Sequence, residues 1–508
     1  MARADYFDRA VQAASHVLND FDQQAFLEKI DAHCVALAFD CHALTLEGMS
    51  ALDLSIRLIA RFHPNIAIVP LDHECKDAAK TLQTIAKFIN PKIVITSQFG
   101  SATDVIVVGE TVPTDTGDAF KYFIGSDGWI ARFSRSNPVG SSRSDNALGA
   151  GVAACLAASN IFRRIFSDAE LDNDLAFSLL DMDITAKNPR NPKLEKVDIG
   201  DTYLVGAGAI GHGFLWAMFG YANMRGKLTV VDHDCIDLFN VQRYALTGRQ
   251  SEGSKKVELA ADFLSERKEL QVTKFFGTWE GFVSSRTEED WSFERVVSAL
   301  DSAKDRIELQ ASLPKWIVNG WTGDADVGIS HHNFIKHACL ACLYMPSGTE
   351  KSEDALIMEA LKLPANMTIN VRSRLDCGTP SERGFLEIIA QQNGIEVAKL
   401  LPFEGQPLRE FYTKAVCSGA VMELATGQKS VTRAEVPMPF QSTLAGILEA
   451  VVLIAHAAGE STILGFTRIN LMKPFAGASP GRSYNEAKHP NCFCMDGDYK
   501  QVYNEKYV

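Results

Sequence analysis

The amino-acid sequence predicts an α/β protein of two doubly wound domains, the second carrying an insertion. Three observations lead there. Short β-branched apolar runs alternate with helical patterns along most of the chain, the arrangement that builds a largely parallel sheet. The polar stretch Ala186-Lys-Asn-Pro-Arg-Asn-Pro-Lys-Leu-Glu-Lys196, whose two prolines lack backbone donors, divides that alternation into two blocks. A glycine loop follows a strand and opens a helix in the second block only.

In the first block, Asn65–Val69, Lys92–Thr96 and Asp104–Val108 read as short buried strands, and Cys75–Phe88 as a helix between them. The Ala-rich stretch Asn146–Phe166 reads as a long packed helix. Asn137-Pro-Val-Gly140 is a turn, and Gly149-Ala-Gly151 lies inside the helical pattern, where small residues serve close packing. This block is therefore expected to bind no nucleotide. In the second block, Thr202–Val205 and Leu228–Val231 are expected strands around the helix Ala209–Ala222, with further strands at Val296–Leu300 and Trp316–Asn319. From about Pro346 to Ser430 the alternation lapses, and Ser442–Ala458 returns as an apolar helix. The expected domains are 1–186, then 197–345 joined with 431–508, with 346–430 inserted.

Composition narrows the function. The 508 residues carry 63 acidic and 50 basic side chains, a net charge of −13, which speaks against nucleic acid or an anionic membrane as the default partner. The N-terminus has charges where a signal peptide needs an apolar run. The most apolar stretches, Gly149–Phe162 and Leu444–Ala458, fall short of the roughly 18–20 residues of a membrane span. A cytoplasmic address is the expectation. There, 11 cysteines are not a disulfide framework, and close cysteine pairs point to metal or catalysis.

The chemistry concentrates behind the glycine loop, Gly206-Ala-Gly208-Ala-Ile-Gly211. Gly206 permits the tight turn, Gly208 lets the backbone approach a phosphate, and Gly211 lets helix and strand pack closely. Asp232 ends the next strand 21 residues after Gly211, where a carboxylate can bind ribose hydroxyls. The following segment places Asn240 and Arg243 close together, and Lys256 comes 13 positions after Arg243. A nicotinamide site has little use for three such groups, whereas a triphosphate needs its charge neutralised as pyrophosphate leaves. Asp301, at the end of the expected strand Val296–Leu300, suits Mg²⁺, with Arg306 five residues later.

The run from Val205 through Arg306 resembles the adenylating domain of ubiquitin-activating enzymes and of their bacterial relatives that adenylate sulfur-carrier proteins, the ThiF fold. The matched residues are the Gly206–Gly211 loop, Asp232 with Asp234, Asn240 ahead of Gln242-Arg243, Lys256, and Asp301 with Arg306. The resemblance implies two Rossmann-like domains, one inactive and one a ThiF-type adenylation domain. It also implies that Asp232 binds the ATP ribose, that Asn240, Arg243 and Lys256 bind phosphates, and that Asp301 holds Mg²⁺. Lys255 is placed to share the task of Lys256, and Asp234 to serve the loop instead of the nucleotide. Cys339-Leu-Ala-Cys342 and Cys492-Phe-Cys494 look like the structural zinc site of the same family. Two close thiolate pairs can complete a tetrahedral shell, although the second pair has one intervening residue where two are usual. His337, His489 and Asp496 are the substitutes should a cysteine fall out of reach. The first domain then corresponds either to the family's degenerate half or to a distinct α/β module. The family often supplies an arginine across the paired interface, and Arg9, Arg163 and Arg164 are the candidates.

Passing the activated carboxylate onward as a thioester requires a cysteine. Outside the presumed zinc ligands, Cys155 reads as a core residue, Cys34 and Cys41 flank apolar residues, Cys75 lies outside the active half, and Cys235 adjoins the nucleotide loop as filler. Cys417 and Cys377 fall in the insertion, where the resembling enzymes carry their nucleophile. Cys417 has a small-residue setting and is preferred. Cys377 has Arg374 to support a thiolate and Asp376 to oppose one.

The expected function is ATP-dependent activation of the C-terminus of a ubiquitin-like protein, then a thioester on Cys417 and transfer to a conjugating enzyme. Only 14 residues follow Cys494, too few for the ubiquitin-fold domain of the eukaryotic enzymes, so a prokaryotic, phage-defence-linked conjugation system is expected. The rivals are a sulfur-carrier adenylyltransferase, an NAD-dependent oxidoreductase and a non-catalytic scaffold. The oligomeric state is open, a homodimer being one reading.

Overall fold

The computed structural model describes residues 3–18, 21–287, 291–323, 325–345, 353–412, 436–461, 466–477 and 487–507. Two helices, α1 (Phe7–Val17) and α2 (Gln23–Ala32), precede the first sheet. There follow β1 (Val35–Phe39), α3 (Leu46–Phe62), β2 (Asn65–Pro70), α4 (Lys76–Ile89), β3 (Val94–Thr96) and β4 (Asp104–Val108). A hairpin of β5 (Phe120–Asp127) and β6 (Ile130–Ser134), then α5 (Leu148–Phe166) and β7 (Leu175–Ser178), complete the first half.

The second half opens with β8 (Val197–Val205), α6 (Ala209–Gly220), β9 (Met224–Asp232), α7 (Lys256–Leu264) and β10 (Leu270–Phe276). It continues through α8 (Trp279–Ser284), β11 (Arg295–Ser298), α9 (Ala303–Ala311), β12 (Ile317–Thr322), β13 (Asp326–His332) and α10 (Leu340–Tyr344). Beyond it lie α11 (Glu353–Ala360), α12 (Thr368–Cys377), α13 (Arg383–Asn393) and α14 (Leu408–Phe411). The chain then rejoins the second half with α15 (Pro439–Ala457), β14 (Phe466–Asn470) and α16 (Gly497–Tyr507).

Both sheets have one topology. Their orders are β3-β2-β1-β4-β5-β6-β7 and β10-β9-β8-β11-β12-β13-β14. In each, the first five strands are parallel and the last two are antiparallel. The helices correspond too: α3 and α5 sit in the first half where α6 and α15 sit in the second. These four helices share one apolar core that includes Leu52, Ile56, Val152 and Leu156 with Phe214, Met218, Leu444 and Val451. Small residues bring them together. A Cβ on Gly151 would lie 2.3 Å from the Trp216 ring, and one on Gly446 2.1 Å from the Ile210 carbonyl oxygen. Gly151 thus packs helices, while Gly149 seats α5 on the β5–β6 hairpin, its missing Cβ 2.7 Å from the Gly128 and Ile130 carbonyl oxygens.

Contacts divide the chain into Met1–Met345 with Val436–Val508, and Pro346–Glu435. The second unit has its own helical core, with Ile357, Leu361, Val371, Leu386, Ile389 and Phe411. By length and composition α15 could cross a membrane, being 19 residues long where the sequence pattern implies a shorter run. Its apolar window is 89% buried, so it is a core helix.

Several strands depart from the sequence pattern. Lys92–Thr96 shortens to Val94–Thr96, and the strand expected at Val296–Leu300 ends at Ser298, leaving Ala299 and Leu300 in the turn before α9. β1, the β5–β6 hairpin, β7, β10, β13 and β14 carry no clear period-two signal. In β1 every residue is buried, so apolar and polar positions do not alternate.

Candidate functional site

The glycine loop joins β8 to α6. Gly206 has φ +93°, and a Cβ there would stand 2.6 Å from the Ala299 carbonyl oxygen. Gly211 packs on that turn, its missing Cβ 2.5 Å from the Gly206 oxygen. Gly208 is the N-cap of α6 and gives it no side-chain cap, so the first amides of the helix are open to an anion. Asp232, at the end of β9, braces the loop by accepting the Ala207 amide at 2.7 Å. Its other oxygen accepts the Asp234 amide at 2.8 Å.

Lys256, the first residue of α7, lies buried beside that carboxylate. Its Nζ is 2.7 Å from Asp234 Oδ2 and 3.9 Å from Asp232 Oδ1, and 5.6 Å from the Tyr244 ring. Burial works against its charge, but Tyr244, Asp232 and Asp234 more than offset that and hold the ammonium firmly protonated. Asp234 therefore serves Lys256. The neighbouring Lys255 turns elsewhere, its Nζ 4.4 Å from the exposed Phe276 ring.

Between Asp232 and α7 runs the loop that carries Asn240 and Arg243. Asn240 closes a capping box, its Oδ1 accepting the Asp237 amide at 2.9 Å, which leaves its Nδ2 to donate. Arg243 sits 5.5 Å from the Tyr244 ring and makes no ion pair with any described residue. Tyr244 is missed by sequence reasoning, yet a Cβ on Gly208 would lie 3.5 Å from its hydroxyl. His212, inside α6, packs on Tyr244 with ring centroids 4.8 Å apart and accepts the Leu246 amide at 3.3 Å. Burial, with Arg61, Lys256 and Arg57 adding to it, drives the His212 pKa far down, so the ring is neutral.

On the other side of the glycine loop, Asp301 is exposed in the turn between β11 and α9 and makes no ion pair with any described residue. It can hold Mg²⁺ as one carboxylate ligand beside substrate phosphates, the donor set that ion accepts. Arg306 is engaged by its own half. Its Nε donates to Asn319 Oδ1 at 3.0 Å and its Nη2 to the Leu300 carbonyl, so it braces the turn that presents Asp301.

Of the three arginines considered for the interface, the structure separates one from two. Arg9 on α1 lies 5.4 Å from the ring of Phe239, next to Asn240 in the opposite half. Arg163 is sealed in the first half, 2.9 Å from Asp172 Oδ2. Arg164 pairs with buried Asp104, its Nε 2.5 Å from Oδ1.

The first half fills the corresponding place with its own side chains. Where Gly206 follows β8, Asp40 follows β1, and its carboxylate accepts the amides of His42, Glu110 and Thr111 at 2.9, 2.8 and 2.7 Å. Burial opposes ionisation there, but those hydrogen bonds prevail and lower its pKa. Gly109, φ +123°, leaves room for that carboxylate. At the start of α3, buried Glu47 accepts the hydroxyls of Ser126, Ser142 and Ser144.

The four cysteines converge. Cys339 and Cys342 Sγ are 3.7 Å apart, Cys339 and Cys492 3.5 Å, and Cys342 and Cys494 3.4 Å. All four sulfurs lie within 4.8 Å of one another. Zinc–sulfur bonds of about 2.3 Å give tetrahedral edges near 3.8 Å, so the set fits zinc despite the short second spacing. His489 contributes its amide to Cys342 Sγ at 3.4 Å, Asp496 caps α16 through the Asp498 amide at 2.8 Å, and His337 is exposed.

Cys377 is exposed at the end of α12. Arg374 is engaged away from it, donating to the Pro380 carbonyl at 2.6 Å and lying 4.5 Å from the Phe385 ring. Cys417 lies outside the described residues. Burial raises the thiol pKa values of Cys34 and Cys75 to about 11, and Cys155 is raised further by burial alone.

Comparison with known proteins bears on both halves. The ThiF family matches residues 187–492, and Prokaryotic E2 family C matches residues 38–167. The uncharacterised protein y4jF of Sinorhizobium fredii is 42% identical over 519 residues, covering 100% of this chain and 98% of that protein. A crystal structure of E. coli MccB with AMPCPP and MccA is 13% identical with a TM-score of 0.33, covering 56% of this chain and 65% of that one. A second E. coli MccB structure, with MccA-N7isoASN, is 14% identical with a TM-score of 0.34, covering 56% and 66%. With a match over more than half its length, bearing the loop, Asp232, Lys256 and Asp301, the chain belongs to the ThiF family.

Proposed function

We propose that this protein activates the C-terminus of a ubiquitin-like protein with ATP and passes it on through a cysteine thioester. Membership of the ThiF family makes ATP-dependent adenylation the expected chemistry. The observation that carries the reading is Lys256, a buried ammonium kept charged by Asp232 and Asp234 at the mouth of a helix-terminal anion site. A dinucleotide would leave that charge without a role; a triphosphate uses it.

In the proposed reaction the partner's terminal carboxylate attacks the α-phosphorus. The bond to the β-phosphate oxygen breaks, releasing pyrophosphate and leaving an acyl-adenylate. The α6 amides, Asn240 Nδ2, Arg243 and Lys256 stabilise charge on the phosphates, and Asp232 orients the ribose. Arg9 would approach the phosphates from the first half, past Phe239. Mg²⁺ on Asp301 would neutralise further phosphate charge. Zinc on Cys339, Cys342, Cys492 and Cys494 would be structural, tying the segment after β13 to the start of α16. A thiolate, Cys417 in this reading, then attacks the acyl carbonyl, AMP leaves, and the thioester passes to a conjugating enzyme.

The shared strand order of the two sheets supports the first half as a degenerate copy of the adenylation fold, with Asp40 and Glu47 filling the place of a ligand. The bacterial source of the Sinorhizobium relative supports a prokaryotic setting; a cytoplasmic conjugation system linked to phage defence is the reading carried over from the sequence. ATP–pyrophosphate exchange that requires a glycine-terminated ubiquitin-like protein is the test.

A further inference from the structure

The first half does more than fill space beside the nucleotide loop. Arg61, on α3, is 1% exposed and its Nη2 donates to the carbonyls of Tyr244 and Thr247 in the other half, at 2.5 and 2.6 Å. Its pKa falls to about 9, first through burial. One turn earlier, Arg57 donates to the Ala245 carbonyl at 3.4 Å and pairs with Asp53 at 2.9 Å. Asp53 in turn accepts the Trp216 indole of α6 at 2.8 Å, and His212 of α6 holds the Leu246 amide. At Gly248 a Cβ would lie 2.2 Å from the Phe88 carbonyl oxygen, so the loop is pressed onto the end of α4 as well.

These bonds close a circuit from α3 to the Tyr244–Thr247 backbone, to α6, and back to α3. The loop being held is the one that carries Asn240 and Arg243, and α6 is the helix that the glycine loop opens. A buried guanidinium with only carbonyls on its hydrogen-bonding face is costly to desolvate and gains little stability, which argues that it sets a position. We infer that Arg61 is a positioning residue of the nucleotide site: by clamping Tyr244 and Thr247 it fixes Arg243 and Asn240 against the α6 N-terminus. The first half thereby completes a site it does not itself contain. The assignment of the ligand as ATP rests on the proposed function; the clamp itself does not.

The test uses the full-length protein, with calorimetric titration of ATP and of NAD⁺ and amide hydrogen exchange of residues 240–247 without ligand. Arg61→Met, similar in length and uncharged, is expected to keep the melting temperature within a few degrees, weaken ATP binding about ten-fold or more, and speed exchange at Tyr244–Thr247. Arg61→Lys keeps the charge but has a shorter reach and no rigid planar fork to hold both carbonyls in place, so an intermediate loss is expected; it decides the matter if Arg61→Met fails to fold. Wild-type ATP affinity and wild-type exchange in the folded variant would overturn the inference. A wild-type protein that binds NAD⁺ but not ATP would sink the proposed function, while the exchange comparison would still decide the role of Arg61.

Discussion

Lys256 Nζ lies 2.7 Å from Asp234 Oδ2 and 3.9 Å from Asp232 Oδ1, so one buried ammonium is shared by two carboxylates beside the glycine loop. The arrangement stores a positive charge where phosphates would arrive. Lys256→Met is expected to lower ATP–pyrophosphate exchange by about 100-fold or more, the scale of losing one charged transition-state contact. Asp234→Asn, which leaves Lys256 in place with one carboxylate fewer, is expected to cost much less. Undiminished exchange in Lys256→Met would remove Lys256 from the chemistry.

Arg9 and Arg164 belong to the same half and have opposite expected signatures. Arg9→Ala is expected to reduce exchange about ten-fold or more with little change in melting temperature. Arg164→Ala strands the buried Asp104 carboxylate and is expected to destabilise by about 3–5 kcal/mol in urea unfolding. Loss of stability in Arg9→Ala without loss of exchange would reverse the assignment.

The cysteine cluster predicts a bound metal. Metal analysis of the purified chain should find zinc near one atom per chain, and Cys342→Ser should lose it to a chelator and expose the α16 helix to proteolysis. A zinc-free protein with a protected α16 would contradict this.

Buried histidines predict acid sensitivity. Burial lowers the pKa values of His63 and His332 to about 4, from an ordinary value of 6.5, and that of His212 further still. The unfolded chain binds these protons first, so stability is full above about pH 6.5 and falls as pH drops towards 4, by up to about 1.4 kcal/mol per pH unit for each histidine. Urea midpoints across that range measure the slope; a flat profile would mean that these rings titrate normally.

The thioester step is separable from adenylation. Cys417→Ala should retain exchange but lose a thiol-sensitive adduct with the partner protein, while Cys377→Ala should keep both. The reverse pattern would move the nucleophile to Cys377.

Much of the second half was legible in its sequence because its chemistry is local. The glycine loop, Asp232, Asn240, Arg243 and Lys256 lie close along the chain, and glycine spacing encodes the turn directly. The cysteine pairs were legible for the same reason. Tyr244, His212 and Arg61 were not, because each acts through a neighbour distant in sequence, and a buried arginine on an amphipathic helix has no local signature. That the two halves share a doubly wound fold was legible in the repeated alternation, but their common strand order was not. Asp40-Cys41-His42 follows β1 where the glycine loop follows β8, and the fully buried β1 carries no alternation. Arg306 was legible as a matched position, but only the structure shows that it braces Leu300.

ATP–pyrophosphate exchange by the purified full-length chain, with and without a small ubiquitin-like protein ending in glycine, tests the central claim most directly. The account predicts exchange that requires both the partner and its free C-terminal carboxylate, and that disappears in Lys256→Met. No exchange with any such partner, or exchange undiminished in Lys256→Met, would contradict it.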